Sequence, residues 1–134
     1  MTPEDFRKRT KAFGLRCIRL VDALPKSLIG RTLGAQLLRS GTSVGSNYRA
    51  ACRAKSQADF ISKMRIVEEE SDESLYWMEL LVESGQIRAP LLADLMKEGD
   101  AILAMVVASI KTARVRRESP ISNLQSPIPN SQKE

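Results

Sequence analysis

"FISKMRIVEEESDESLYWMELL", Phe60 to Leu81, is the stretch whose reading decides the fold. Apolar or small residues fall at Phe60, Met64, Val67, Ser71, Ser74, Met78 and Leu81, in alternating steps of four and three. A strand would repeat every second residue, whereas this alternation lines the seam of a helix packed lengthwise on other helices. Ser56 and Asp59 resemble a capping box with Asp in place of the usual Glu, and Gly85 suits a helix end. A helix is therefore expected over about 57–84.

The same pattern extends outward. Thr2-Pro3-Glu4-Asp5 supplies a cap oxygen, a proline for the first turn and carboxylates for the positive dipole end. Phe6, Thr10, Phe13, Cys17, Leu20 and Leu24 then continue the seam until Pro25 breaks it, giving a helix over about 3–24. A second helix, about 28–55, shows an apolar face of Leu33, Leu37, Val44, Tyr48 and Ala51 beside a small polar face of Gln36, Ser40, Ser43 and Asn47. Glycines 41 and 45 weaken it by roughly 1 kcal/mol each relative to alanine and allow a kink. Leu92, Leu95, Met96, Ile102, Leu103, Val106 and Ile110 mark a fourth helix, about 90–116. Residues 118–134 carry three prolines and no period, and read as a disordered tail with a docking role open to it. The expected fold is all-α: an antiparallel up-down-up-down four-helix bundle over 1–117.

Composition agrees, since three Phe, two Tyr and one Trp leave the core to Leu, Ile, Val, Ala and Met. The sequence has no secretory leader pattern and no apolar run of membrane length. Cys17 and Cys52 lack metal-ligand spacing and read as reduced thiols of a cytoplasmic protein that does not engage a membrane.

Gly41-Thr42-Ser43-Val44-Gly45 matches the G-x-S-x-G pattern of a hydrolase nucleophile elbow. The elbow requires a strand before the serine and a base beside it, and the chain contains no histidine. "GTSVGS" also lacks the Lys-Ser/Thr that completes a phosphate-binding loop. Glu68-Glu69-Glu70-Ser71-Asp72-Glu73 could place carboxylates on one face, but a di-iron bundle also needs Glu-x-x-His. It reads as a solvated face partly paired with arginine. No catalytic residue, metal or cofactor is expected.

Charge is segregated. Residues 1–55 hold 12 Lys/Arg against 3 Asp/Glu, and residues 56–100 hold 4 against 11, within a chain of net charge +5. Arg7, Lys8, Arg9, Lys11, Arg16 and Arg19 crowd the first helix, while Lys111, Arg114, Arg116 and Arg117 end the fourth. In an up-down bundle those segments share one end, so the two clusters should merge into a patch suited to phosphate backbones. Counting through an antiparallel turn near residue 55 sets Arg39 opposite Ser71, within reach of Glu70 or Glu73, and Asn47 opposite Lys63 or Met64. A buried Arg39 pair and an Asn47 bond across the two helices are therefore expected.

The string "QLLRSGTSVGSNYRAACRAKSQADFISKMRIVEEESDESLYWMELL", Gln36 to Leu81, resembles the four-helix-bundle family named for proteins encoded in intervening sequences of bacterial 23S rRNA genes. Gln36, Leu37, Arg39, Ser40, Ser43, Val44, Asn47, Arg53, Ser56, Asp59, Phe60 and Glu73 carry the likeness. Many relatives have proline where this chain has Gly45, and Glu-Gly where it has Ala51-Cys52. The resemblance implies a homopentameric barrel. It also implies a basic surface for nucleic acid, as in the accessory proteins of diversity-generating retroelements, which also engage a reverse transcriptase. Gln36, Arg39, Ser40, Ser43, Asn47, Asp59, Glu70, Glu73 and Trp77 are then expected in helix packing or subunit contacts. The function expected is non-enzymatic binding of nucleic acid, RNA before DNA, by an oligomer. The alternative is a protein-binding scaffold or accessory subunit without nucleic-acid contact.

Overall fold

The computed structural model describes residues 1–118. Its four helices are α1 (Pro3–Asp22), α2 (Leu28–Ala51), α3 (Gln57–Glu83) and α4 (Ala89–Glu118). The first three start on identifiable chemistry. Thr2 and Asp5 form a reciprocal capping box, with Thr2 Oγ1 accepting from the Asp5 N–H at 3.0 Å and Asp5 Oδ2 from the Thr2 N–H at 3.1 Å. Ser27 caps α2 by accepting from the Gly30 N–H. Ser56 caps α3 by accepting from the Asp59 N–H, but Asp59 returns its bond to the Lys55 N–H, one residue outside the cap. Gly85, at φ 81°, ends α3 in a Schellman motif: the Gln86 N–H bonds the Leu81 carbonyl and the Gly85 N–H bonds that of Val82.

α2 runs unbroken through both glycines and stops at Ala51, short of the expected residue 55. Beyond it the Arg53 and Ala54 N–H groups bond the carbonyls of Ala50 and Ala51, tightening the chain so that it reverses before Ser56. The expected tail lies outside the described residues except Glu118, which still belongs to α4.

Chain neighbours pack around the bundle, α1 on α2, α2 on α3 and α3 on α4, with a sparser closure of α4 on α1. Phe13, Leu37, Val44, Phe60, Met64, Val67, Met78, Leu81, Leu92, Ile102 and Val106 fill the centre. The anticipated seam of α3 is buried along its whole length. Serines enter the core only with partners: Ser71 donates to the Val67 carbonyl at 2.7 Å, and the Ser74 hydroxyl lies 3.1 Å from Ser40 Oγ across the α2–α3 contact.

The α1–α2 contact is set by the segment that resembles a nucleophile elbow. A Cβ on Gly41 would lie 2.6 Å from Cys17 Sγ, and one on Gly45 would lie 3.3 Å from the Thr10 carbonyl group. Gly41 makes room for the Cys17 side chain, and Gly45 lets the backbone of α1 lie against α2. Ser43 donates to the Arg39 carbonyl of its own helix at 2.6 Å.

Gly41→Ala should lower the melting temperature. The methyl gains about 1 kcal/mol of helix preference, but overpacking against buried Cys17 costs about 1–3 kcal/mol. Combining it with Cys17→Ala should be less damaging than the two single effects added, as thermal unfolding of the four chains would show.

Candidate nucleic-acid interface

The helical period sorts the basic residues of α1 onto two faces. Arg7, Lys8 and Lys11 point outward and line a groove of about 760 Å³ between α1 and α2. Arg49 and Arg53 complete its wall from the end of α2, and Thr10, Gly14 and Gly45 line it where the two backbones approach. None of these five cations makes an ion pair with a carboxylate among the described residues.

Arg9 and Arg16 turn the other way. Arg9 holds Glu98 of α4 by two bonds of 2.8 Å, Nε to Oε2 and Nη2 to Oε1, and Arg16 Nη2 reaches Asp94 Oδ2 at 2.6 Å. The Arg9 hydrogen bonds hold the Glu98 carboxyl below its ordinary 4.5, and Glu98 in turn raises the guanidinium. Arg19 lies at the far end of the α1–α2 face, beside Lys26 and Arg31 in a second depression.

The expected merger of the α1 and α4 clusters does not occur. Lys111 and Arg114 line a groove between α3 and α4 with Arg65, Glu68 and Glu118, on the opposite edge of the bundle from the α1–α2 groove. Arg116 is half-buried and Arg117 exposed beyond them. The two segments do share an end, but rotation about each helix axis aims their cations apart. Arg49 and Arg53 escaped the sequence reading as binding residues; two arginines four apart where α2 gives way to the turn were the available signal.

The polar set on α2 and α3 is brought together along one side. Arg39 reaches Glu70 Oε1 at 3.2 Å and also bonds Glu73, as the register predicts. The pair sits at the rim rather than in the core, with the Arg39 side chain 48% exposed. The Trp77 indole N–H donates to Glu73 at 3.1 Å and, with Arg39, holds that carboxyl below its usual range. Lys63 lies 2.7 Å from Asp59 and, together with the Lys55 N–H, lowers it likewise. Gln36 offers its carbonyl to buried Ser40. Asn47 departs from expectation: its amide donates to the Ser43 carbonyl at 2.8 Å, within α2, instead of crossing to α3.

Reactive groups are quiet. Burial pushes the Cys17 thiol up to about 12, so it stays protonated. Among the described residues no group of three or more His, Cys, Asp or Glu is gathered to hold a metal, and no helix is long and apolar enough to cross a membrane.

Against this geometry, the profile described as 23S rRNA-intervening sequence protein matches residues 5–108. The chain belongs to that family. A crystal structure of an S23 ribosomal protein family member from Bacteroides thetaiotaomicron VPI-5482, a protein of unknown function, superposes with a TM-score of 0.73 at 32% identity, covering 84% of this chain and all of that one. No curated protein matches. The intervening-sequence match takes in α2, α3, the α1–α2 groove with its glycine contact, and α4 as far as residue 108.

The Arg9–Glu98 pair gives this bundle a pH signature. A carboxyl whose folded pKa is depressed stabilises the fold above its unfolded value and loses that contribution as pH falls through the folded one. Wild type should therefore melt above Glu98→Gln at pH 7, with the gap closing as pH drops below 4.5. Melting temperatures of both chains between pH 7 and pH 3 check this.

Proposed function

We propose that this intervening-sequence family member is a non-enzymatic, homo-oligomeric protein, a pentamer in its assembled form, that binds nucleic acid through the α1–α2 face. The observation carrying the reading is the groove in which Arg7, Lys8, Lys11, Arg49 and Arg53 converge without carboxylate partners among the described residues. Unneutralised cations along a groove suit a phosphate backbone, which releases its counterions on binding and needs no base-edge contacts. The groove carries no aromatic ring on which bases could stack, so the binding is sequence-tolerant. Preference for RNA over DNA rests on the family's description alone. The non-enzymatic reading rests on a helix-bonded Ser43, a protonated Cys17 and the lack of histidine in the sequence.

Electrophoretic mobility shifts at graded salt test this. Binding should weaken as salt rises, and Ala at Arg7, Lys11, Arg49 and Arg53 together should weaken it for every sequence. Each lost phosphate contact should flatten the log–log salt slope by about 0.7 on single strands. Ala at Lys111 and Arg114 should leave the shift close to wild type. No shift at low salt overturns the reading, and a nuclease-resistant protein partner in a pull-down would favour the scaffold alternative.

A further inference from the structure

The α1–α2 groove does not end with its five cations. Ile18 lines it and also lines the second depression, of about 420 Å³, in which Arg19 of α1, Lys26 of the turn and Arg31 of α2 stand. The two depressions therefore form one furrow along the contact of α1 with α2. Its floor is closed by the near approach of the two helices, since a Cβ on Gly14 would lie 3.6 Å from the Gly41 carbonyl oxygen. None of the three far cations makes an ion pair with a carboxylate among the described residues. Asp22 is the only acid among the described residues that line either depression.

Charge and polarity alternate along the furrow. Cations gather at both ends, and between them Leu15, Ile18 and Leu38 are exposed in its walls. The track is long: α2 rises about 30 Å from Arg31 to its end at Ala51, at 1.5 Å per residue. At about 3.4 Å per nucleotide of a stacked strand, that is the length of about nine nucleotides. The apolar waist decides between kinds of polyanion. A duplex keeps its base faces stacked inside and offers such a waist only charged backbone, whereas a single strand can turn its bases onto Leu15, Ile18 and Leu38. An anionic bilayer needs apolar side chains that project from a convex face, and these line a concave one.

Resting on the nucleic-acid reading above, we infer that the ligand is a single strand lying along the whole α1–α2 furrow, with Arg19, Lys26 and Arg31 as a second set of phosphate contacts. The cations near Arg53 and those near Arg31 hold phosphates at the two ends of the bound segment, and the apolar waist takes up base faces between them. Aliphatic side chains press on every base alike, so the waist adds affinity without sequence choice. A strand too short to join the two cation sets engages one of them. A strand that joins them gains the second contact as an intramolecular step, so affinity rises with length until the furrow is filled.

Fluorescence anisotropy tests this with labelled oligouridylates of about five, ten and fifteen nucleotides and an RNA duplex of about ten base pairs, lengths set by the furrow. Wild type should bind the ten-nucleotide strand more tightly than the short one, gain little more from the longest, and bind the duplex more weakly. Arg19→Ala with Arg31→Ala should bring the ten-nucleotide strand down toward the short one and leave the short one close to wild type. The same variant should flatten the salt slope by about 0.7 for each lost contact. Ile18→Ala with Leu38→Ala should weaken the single strand, leave its salt slope as it is, and narrow the gap to the duplex. All four are exposed positions, and circular dichroism confirms folding of each variant. Equal binding of the short and ten-nucleotide strands, a duplex bound as tightly as the single strand, or a ten-nucleotide strand indifferent to Arg19 and Arg31 each overturn the inference. So does capture by phosphatidylserine vesicles with no strand bound. Failure of the groove reading looks different: no strand of any length binds, or Ala at Arg7, Lys11, Arg49 and Arg53 leaves even the short strand unaffected. Length-independent binding that still needs those four residues overturns the long track alone.

Discussion

The close approach of α1 to α2 at Gly41 and Gly45 governs most of what the surface presents. The Cys17 side chain packs directly onto the bare backbone of Gly41, and at Gly45 the Thr10 backbone itself approaches. Such proximity fixes the rotation of α1 as well as its distance, because Phe6, Thr10, Phe13 and Cys17 must all point inward. Once those are inward, the residues between them have no freedom of direction. Arg7, Lys8 and Lys11 emerge along the α1–α2 groove, while Arg9 and Arg16, seven residues apart on one stripe, face α4. A packing contact thereby separates the cations that hold the bundle together from those open to a partner.

That separation explains the loose α1–α4 edge. α4 is fastened to α3 by core packing but meets α1 over less of its length, and the seam is stitched by Arg9–Glu98 and Arg16–Asp94. The first pair is bidentate and mostly sheltered, the geometry in which a guanidinium–carboxylate contact adds orientation as well as attraction. The second leaves Asp94 open to water, where screening leaves an ion pair worth little. Arg9 is therefore the residue that registers α4 against α1, with Met105 Sδ 3.6 Å from its Nη1 as a further contact.

The bundle was legible because its signals are periodic and redundant. The four-three seam of α3 and the caps at Thr2 and Ser56 each specify helix, and the antiparallel count placed Arg39 against Glu70 and Glu73. What escaped reading depended on direction or on short-range competition. Ala51 to Lys55 contain neither glycine nor proline, so nothing in composition marked the end of α2. Asn47 has a carbonyl one turn back on its own helix within reach of its short side chain, and this local bond wins over a cross-helix partner. The two basic clusters were placed correctly along the axis and wrongly around it, because helix order sets the end of a bundle while only core packing sets rotation. The signal that would have corrected this was present: cations at 9 and 16 face acids at 94 and 98 across an antiparallel pair, which removes those cations from any outward patch.

The resulting charge distribution is hard to account for as solubility alone. The α3–α4 edge mixes both signs, Arg65, Lys111 and Arg114 among Glu68, Glu69 and Asp72, whereas the α1–α2 groove gathers Arg7, Lys8, Lys11, Arg49 and Arg53 with no carboxylate in its lining. A one-signed groove focuses its field outward and draws in counter-charge, an effect that weakens as salt shortens the screening length.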